Sequence, residues 1–197
     1  MSGASGSTRP DGCVLAGGAG RRFGRPKADV RLGGRTLVER AVAALLPRCG
    51  SVVVVSRPGV PLPPLPVPVV LDRPGPDCPL VGLASGLAAL AADDALVLGC
   101  DLPLAGRLLD ALVAAPPGVA VVATRRGRPQ PLCARYPRAR ALAACQRLLA
   151  EGALPVVGLL QALGAATVED DGDALLNVNT PEDLARALTI LRDAPLS

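Results

Sequence analysis

Short apolar runs, each cut off by glycine, proline or a charge, recur along the chain. Residues 12–16, 51–55, 67–71, 95–99, 119–124, 131–136 and 166–169 read as strands. The runs are continuous rather than alternating, the pattern of strands buried on both faces. Helical segments fall between them. Thr36-Leu37-Val38-Glu39 is a capping-box pattern that starts a helix running to about residue 46, where Pro47 and Gly50 stop it. Further helices are expected over 83–92, 106–115, 137–150 and 155–163. A last helix opens with Thr180 as N-cap and Pro181 at its first position. Gly33-Gly34 marks a turn within 31–35, and 125–129 reads as a basic turn. Six prolines between 58 and 68 predict a stiff, extended surface connection. Strands that alternate with helices predict an α/β domain whose mostly parallel sheet is covered on both faces. Residues 1–10, rich in Gly and Ser, read as a loose tail, and 11–197 as one domain.

In such sheets ligands bind beyond the carboxyl ends of the strands. The first predicted strand ends there in Leu15-Ala16-Gly17-Gly18-Ala19-Gly20-Arg21-Arg22-Phe23-Gly24-Arg25-Pro26-Lys27. Glycines let a ligand approach the backbone, and a row of free N–H groups makes a concave site for phosphate oxygens. Lys27 is the only lysine of a chain with twenty arginines. A compact ammonium aimed at an anion is the task arginine does not duplicate, so Lys27 is the first candidate. The spacing fits neither a P-loop, which needs Lys-Ser/Thr directly after the last glycine, nor a dinucleotide fingerprint. Ser56, Asp72 and Asp101 each follow a predicted strand and are expected to converge with the loop on one edge. Asp101 is suited to a hard divalent cation that takes its other ligands from substrate phosphates.

Asn177 and Asn179 are the only asparagines. Two readings stay open for them: turn and capping chemistry, or amide contacts to phosphate or a second substrate. Arg125, Arg126 and Arg128 form either a solvated turn or an anion-steering edge for a phosphorylated acceptor. Asp170, Asp171 and Asp173 read as a solvated acidic loop.

Composition narrows the classes. Half of the 197 residues are apolar, which excludes a disordered chain. Phe23 and Tyr136 are the only aromatics, too few for a platform that stacks single-stranded bases. The net charge of +4 is modest and needs no nucleic-acid partner. Without histidine there is no histidine triad, metal ligand or general base. Six cysteines without a C-x-x-C pair read as buried thiols in a reducing compartment. No apolar run nears the roughly 20 residues of a membrane span, and the first residues lack a signal-peptide core. A cytoplasmic protein without membrane contact is therefore expected.

Leu15-Ala16-Gly17-Gly18, then Arg22-Phe23-Gly24, then Lys27 resembles the L-A-G-G-x-x-x-R-M-G-x-x-K signature of MobA-like nucleotidyltransferases, which include the molybdenum cofactor guanylyltransferases. Three more segments follow in the family's order. Pro79-Leu80-Val81-Gly82 resembles its G-P-L-x-G segment, with Cys78 where glycine is usual. Gly99-Cys100-Asp101-Leu102-Pro103 resembles its C-D-x-P metal motif. Asn177-Val178-Asn179-Thr180-Pro181-Glu182-Asp183-Leu184 resembles N-x-N-T-P-E-E/D-L. Phe23 replaces the usual Met, Val55-Ser56 stands where an Asn is frequent, and Gln130-Pro131 resembles a His-Pro pair.

The resemblance implies a three-layer Rossmann-like nucleotidyltransferase fold. It implies a reaction of GTP with molybdenum–molybdopterin that releases pyrophosphate. It implies Leu15, Ala16, Gly17, Gly18, Lys27, Ser56, Asp72 and Asp101 around the nucleotide, with Lys27, Arg22 and Asp101 catalytic, Mg²⁺ on Asp101, and Asn177 and Asn179 on the acceptor. Molybdoenzymes or other cofactor-biosynthesis proteins are the implied protein partners. A molybdopterin cytidylyltransferase, another small-molecule nucleotidyltransferase and a nucleotide-binding adaptor without turnover are the competing readings.

Overall fold

A computed structural model describes residues 9–18, 23–24 and 26–193. In chain order its elements are β1 (Asp11–Leu15), a single helical turn (Lys27–Asp29), β2 (Arg31–Leu32), β3 (Arg35–Thr36) and α1 (Leu37–Leu45). Then come β4 (Val52–Ser56), β5 (Val69–Leu71), α2 (Pro79–Ala89), β6 (Asp94–Gly99) and α3 (Gly106–Ala114). The last are β7 (Val121–Arg125), β8 (Arg128–Pro137), α4 (Arg138–Ala150), α5 (Val157–Leu163), β9 (Ala166–Glu169) and α6 (Pro181–Asp193). Seven strands form one sheet in the order β5-β4-β1-β6-β8-β7-β9, and β2 and β3 pair as a small separate hairpin. Only β8 runs antiparallel to its neighbours in the large sheet.

Successive residues of each central strand serve opposite faces. Val14, Val52, Val54, Leu96 and Leu98 pack under α1 and α3. Cys13, Val53, Val55, Ala95, Val97, Ala134 and Tyr136 pack under α2, α4 and α5. The result is the expected three-layer α/β arrangement, and the apolar runs are strands buried on both sides. A third, smaller core joins Leu32 and Leu37 to Val178, ahead of the last helix, and to Ala187 within it. All six cysteines are buried and free. Among the described residues no helix is long and apolar enough to cross a membrane.

The end signals were legible. Thr36 Oγ1 accepts from Glu39 N at 3.3 Å, while Glu39 Oε2 accepts from Thr36 N at 2.6 Å, closing the capping box. Thr180 Oγ1 accepts from Asp183 N at 3.2 Å ahead of Pro181.

Four expectations need correction. α2 begins at Pro79, four residues early, because proline is pre-set for a first helical position, and it ends at Ala89. The carboxylate of Asp11 takes the N–H groups of Ala91 (3.0 Å) and Ala92 (2.8 Å), so these residues leave the helix. β5 is short, lies at the sheet edge and leaves Val69 and Leu71 exposed, so 67–71 is not a buried strand. Arg125 and Arg128 belong to the paired strands, and only Arg126-Gly127 turns. In the proline-rich segment Leu62, Leu65 and Val67 pack against the core, which makes it more than a surface linker.

One ion pair closes the end of the sheet opposite the strand termini that carry the candidate residues. Arg135 Nη2 donates to Asp94 Oδ2 at 2.6 Å with both side chains buried, and Arg135 Nη1 donates to the carbonyls of Val113 and Ala115 at 2.7 Å each. Removing one partner strands a charge in the interior. Asp94→Ala is expected to cost about 3–5 kcal/mol, read as a lower urea midpoint with an unchanged slope.

Candidate active site

The carboxyl ends of β4, β1 and β6 lie side by side, with Leu15 opposite Val55 on one flank and Gly99 on the other. The chain leaves β1 between strands whose connections run in opposite directions, the switch point where α/β sheets open a crevice. Backbone bonds hold the exits together: Ala16 N donates to Val55 O at 2.8 Å, Cys100 N to Leu15 O at 3.0 Å, and Asp72 N to Ser56 O at 2.9 Å. A cavity of about 180 Å³ opens there. Leu15, Gly17, Gly18 and Lys27 form its floor, Cys100 and Asp101 one side, and Val55, Arg57 and Asp72 the other. The first turn of α2, Pro79 and Gly82, closes it.

Lys27 Nζ donates to Asp101 Oδ2 at 2.9 Å and also to the side-chain oxygen of Asn179. Lys27 is held by its helical turn, whose N–H approaches Gly18 O at 3.4 Å. Val178 N donates to Asp101 O at 2.8 Å, docking the 177–179 segment onto the turn after β6. Asn179 N and Thr180 N each donate to Asp183 Oδ2 at 2.9 Å, and these bonds, the one from Asn179 above all, hold the Asp183 carboxyl below its usual range. A Cβ on Gly99 would stand 2.5 Å from Asp101 Oδ1, so the carboxylate's place depends on that glycine. Cys100 is no nucleophile here: burial, with Asp101 adjacent, pushes its thiol up to about 12.

At the other side Arg57 Nε lies 3.8 Å from Asp72 Oδ2, and its guanidinium also pairs with Asp77. Burial raises the Asp72 carboxyl above its usual value, and Arg57 only partly offsets this. Asp72 Oδ1 is buried with no hydrogen-bond partner, an acceptor left facing Gly82. A Cβ on Gly82 would come within 2.8 Å of Leu15 Cδ2 and 3.2 Å of that oxygen.

The structure brings Leu15, Gly17, Gly18, Lys27, Asp72 and Asp101 together around the cavity, as expected. Ala16 is buried and contributes through its backbone. Ser56 is a correction. Strand alternation sends its side chain to the face opposite Val55 and Arg57, where it is buried with an unpartnered Oγ and does not line the cavity. Arg22 lies outside the described residues. Asn179 meets Lys27, whereas Asn177 sits further along, accepting from Gln130 Nε2 at 3.3 Å.

Asp170 is a second correction: it is not a solvated acid but is buried. Burial opposes its ionisation, yet the N–H groups of Leu175 and Gly172 and the guanidinium of Arg107 hold its carboxyl below the usual range. Asp173 is likewise engaged, by Arg125 and Arg186. Arg57 was missed. Its only signal in the sequence is its place directly after a predicted strand.

A glycine loop, a lysine and a carboxylate gathered at the switch point of a mostly parallel sheet define the class: an α/β protein that handles nucleotide phosphates. Residues 12–165 match the model of the MobA-like NTP transferase domain. The chain is 42% identical over 191 residues to a molybdenum cofactor guanylyltransferase of Cereibacter sphaeroides, covering 92% of this chain and 96% of that protein. It is 36% identical over 189 residues to a probable molybdenum cofactor guanylyltransferase of Chloroflexus aggregans, covering 88% and 90%. Molybdopterin-guanine dinucleotide biosynthesis protein A from Archaeoglobus fulgidus shares the fold, with a TM-score of 0.71 and 22% identity over 93% of this chain and all of that one. The chain belongs to the MobA-like NTP transferase family and is a nucleotidyltransferase.

The raised Asp72 carboxyl has a consequence for stability. Between the usual carboxylate value and the raised one, the native state holds more protons than the unfolded chain, so stability falls as pH rises through that interval. Asp72→Asn is therefore expected to be more stable than the parent at pH 7. The difference should vanish below the usual carboxylate range, as followed by denaturant unfolding at several pH values.

Proposed function

We propose that the protein transfers GMP from GTP to molybdenum–molybdopterin, releasing pyrophosphate and making the guanine dinucleotide form of the cofactor. One observation carries this reading: the chain's single lysine is held against Asp101 at the switch-point cavity. The names of the relatives supply the nucleotide and the acceptor.

Each residue then has a task. The glycine-loop N–H groups, with Arg22, hold the triphosphate. Lys27 neutralises charge that develops on the α-phosphate and on departing pyrophosphate. Asp72 contacts the nucleoside through its carboxylate at the cavity wall, Leu15 packs beside it, and Ala16 contributes its backbone. Asn179 orients Lys27, and Asn177 and Asn179 face the acceptor. The attacking acceptor phosphate oxygen is already anionic, so no general base is required, in keeping with a chain that has no histidine. Catalysis is positioning and electrostatics.

Asp101 suits Mg²⁺. Its carboxylate is a quarter exposed at the cavity, and no cluster of three or more His, Cys, Asp or Glu occurs among the described residues. A lone carboxylate fits a cation that draws its remaining ligands from phosphates and water. When bound, Mg²⁺ supplies charge neutralisation and a template for the phosphates. We place the reaction in the cytoplasm, in one domain over 11–197, with molybdoenzymes or cofactor-biosynthesis proteins receiving the product.

Purified protein given molybdenum–molybdopterin, Mg²⁺ and GTP, CTP or UTP in turn is expected to release pyrophosphate with GTP. A preference for CTP would overturn the guanylyl assignment in favour of the cytidylyl reading. Lys27→Ala and Asp101→Asn should each lower turnover by on the order of 100-fold or more, with circular dichroism unchanged. Undiminished pyrophosphate release in Lys27→Ala would refute the role given to that lysine.

A further inference from the structure

The β7–β8 turn and α6 enclose a second concave surface that the phosphate chemistry leaves unused. It measures about 600 Å³, the size of a small-ligand site, and is lined by Arg125, Arg126, Arg128, Gln130, Asn177 and Arg186. Its charge is only partly answered. Arg125 and Arg186 both end on Asp173 Oδ1, at 2.9 and 2.7 Å. Glu169 is engaged instead by the backbone N–H of Arg126 and the hydroxyl of Thr124. Among the described residues no carboxylate pairs with the guanidinium of Arg126 or Arg128.

The backbone adds a second observation. Arg126 has φ 51°, the only non-glycine residue with positive φ among those described, followed by Gly127 at 70°. A two-residue hairpin turn of this kind favours Asn-Gly or Gly-Gly. An arginine held in a conformation that a Cβ disfavours points to a task for its side chain.

The third observation is continuity with the cavity at Lys27. Val178 is fully buried, so Asn177 and Asn179 stand on the open side of the segment that carries all three. Two residues of extended chain span roughly 7 Å. Asn179 meets Lys27 at one end of this step, and Asn177 meets Gln130 and the arginine surface at the other.

We propose that this arginine-lined cleft is an acceptor subsite. It takes an anionic group that the acceptor carries a short step from its reacting phosphate, here the oxo-metal dithiolene of molybdenum–molybdopterin. The inference rests on the transfer reaction proposed above and adds the element that selects the acceptor rather than the nucleotide. A concave cleft of this volume with no aromatic side chain fits a compact anion better than a nucleic-acid strand.

Two measurements test it. In steady-state assays the double variant Arg126→Gln/Arg128→Gln is expected to raise KM for the acceptor at least tenfold and to leave KM for GTP within twofold. Arg126→Lys/Arg128→Lys should recover part of the loss. An unchanged acceptor KM, or an equal loss for both substrates, would overturn the subsite. Independently of turnover, the arginine side-chain N–H resonances can be followed as inorganic molybdate is added at constant ionic strength. Saturable shifts confined to the signals missing from the double variant support the subsite even if no pterin is guanylylated. Uniform shifts without saturation count against it. Displacement of the same signals by a single-stranded oligonucleotide at lower concentration than molybdate would assign the cleft to nucleic acid and end the proposal.

Discussion

Seventy-four positions separate Lys27 from Asp101, yet their side chains meet at 2.9 Å, and the rest of the architecture makes that meeting possible. The pair lines the cavity and is partly open to water, where an ion pair contributes little to stability. Its geometry is nevertheless determined from several sides. β1 and β6 are hydrogen-bonded neighbours, so the loops that follow them leave the sheet together. Cys100 N donates to Leu15 O and Val178 N to Asp101 O, which locks the two turns and the Asn-Val-Asn segment to each other. Asn179 then fixes the remaining freedom of the lysine. A cation and an anion held ready at a strand switch point, with room left beside them, form a site prepared for charge to arrive.

That room is made by missing side chains. Gly82 lets the first turn of α2 press against Leu15 and Asp72, and Gly99 leaves the Asp101 carboxylate its place. Gly86, one turn further along α2, allows the helix to sit directly on Cys13 of β1. These glycines act through close approach rather than backbone freedom, since none of the three has positive φ. The site is narrow because its walls approach this closely, and Asp72 Oδ1 is buried in that wall without a hydrogen-bond partner.

Most of the fold could be read from local pattern. Apolar runs buried on both faces, a capping box at Thr36 and the Thr180-Pro181 start each depend on neighbours a few residues away. So does the turn at Gly33-Gly34. The candidate site was legible for a different reason: rarity. A chain with one lysine and two asparagines marks those positions, and Lys27 and Asn179 are in contact. What escaped was whatever depends on direction. Ser56 and Arg57 are adjacent, and only the pleat decides which of them looks into the cavity. Asp170 looks like its neighbours Asp171 and Asp173 until the loop folds around its carboxylate.

The sequence by itself therefore determined the order of the main strands and helices, the two-faced sheet, the helix starts at Thr36 and Thr180 and the identity of the charged pair. These follow from periodicity, capping chemistry and composition. Tertiary structure alone decided that β5 is an exposed edge, that Arg57 rather than Ser56 borders the cavity, that Asp72 keeps a free oxygen, and that four arginines from the β7–β8 hairpin and α6 face one cleft. Each of these is a relation between residues distant along the chain, set by register and packing, and no local pattern encodes it.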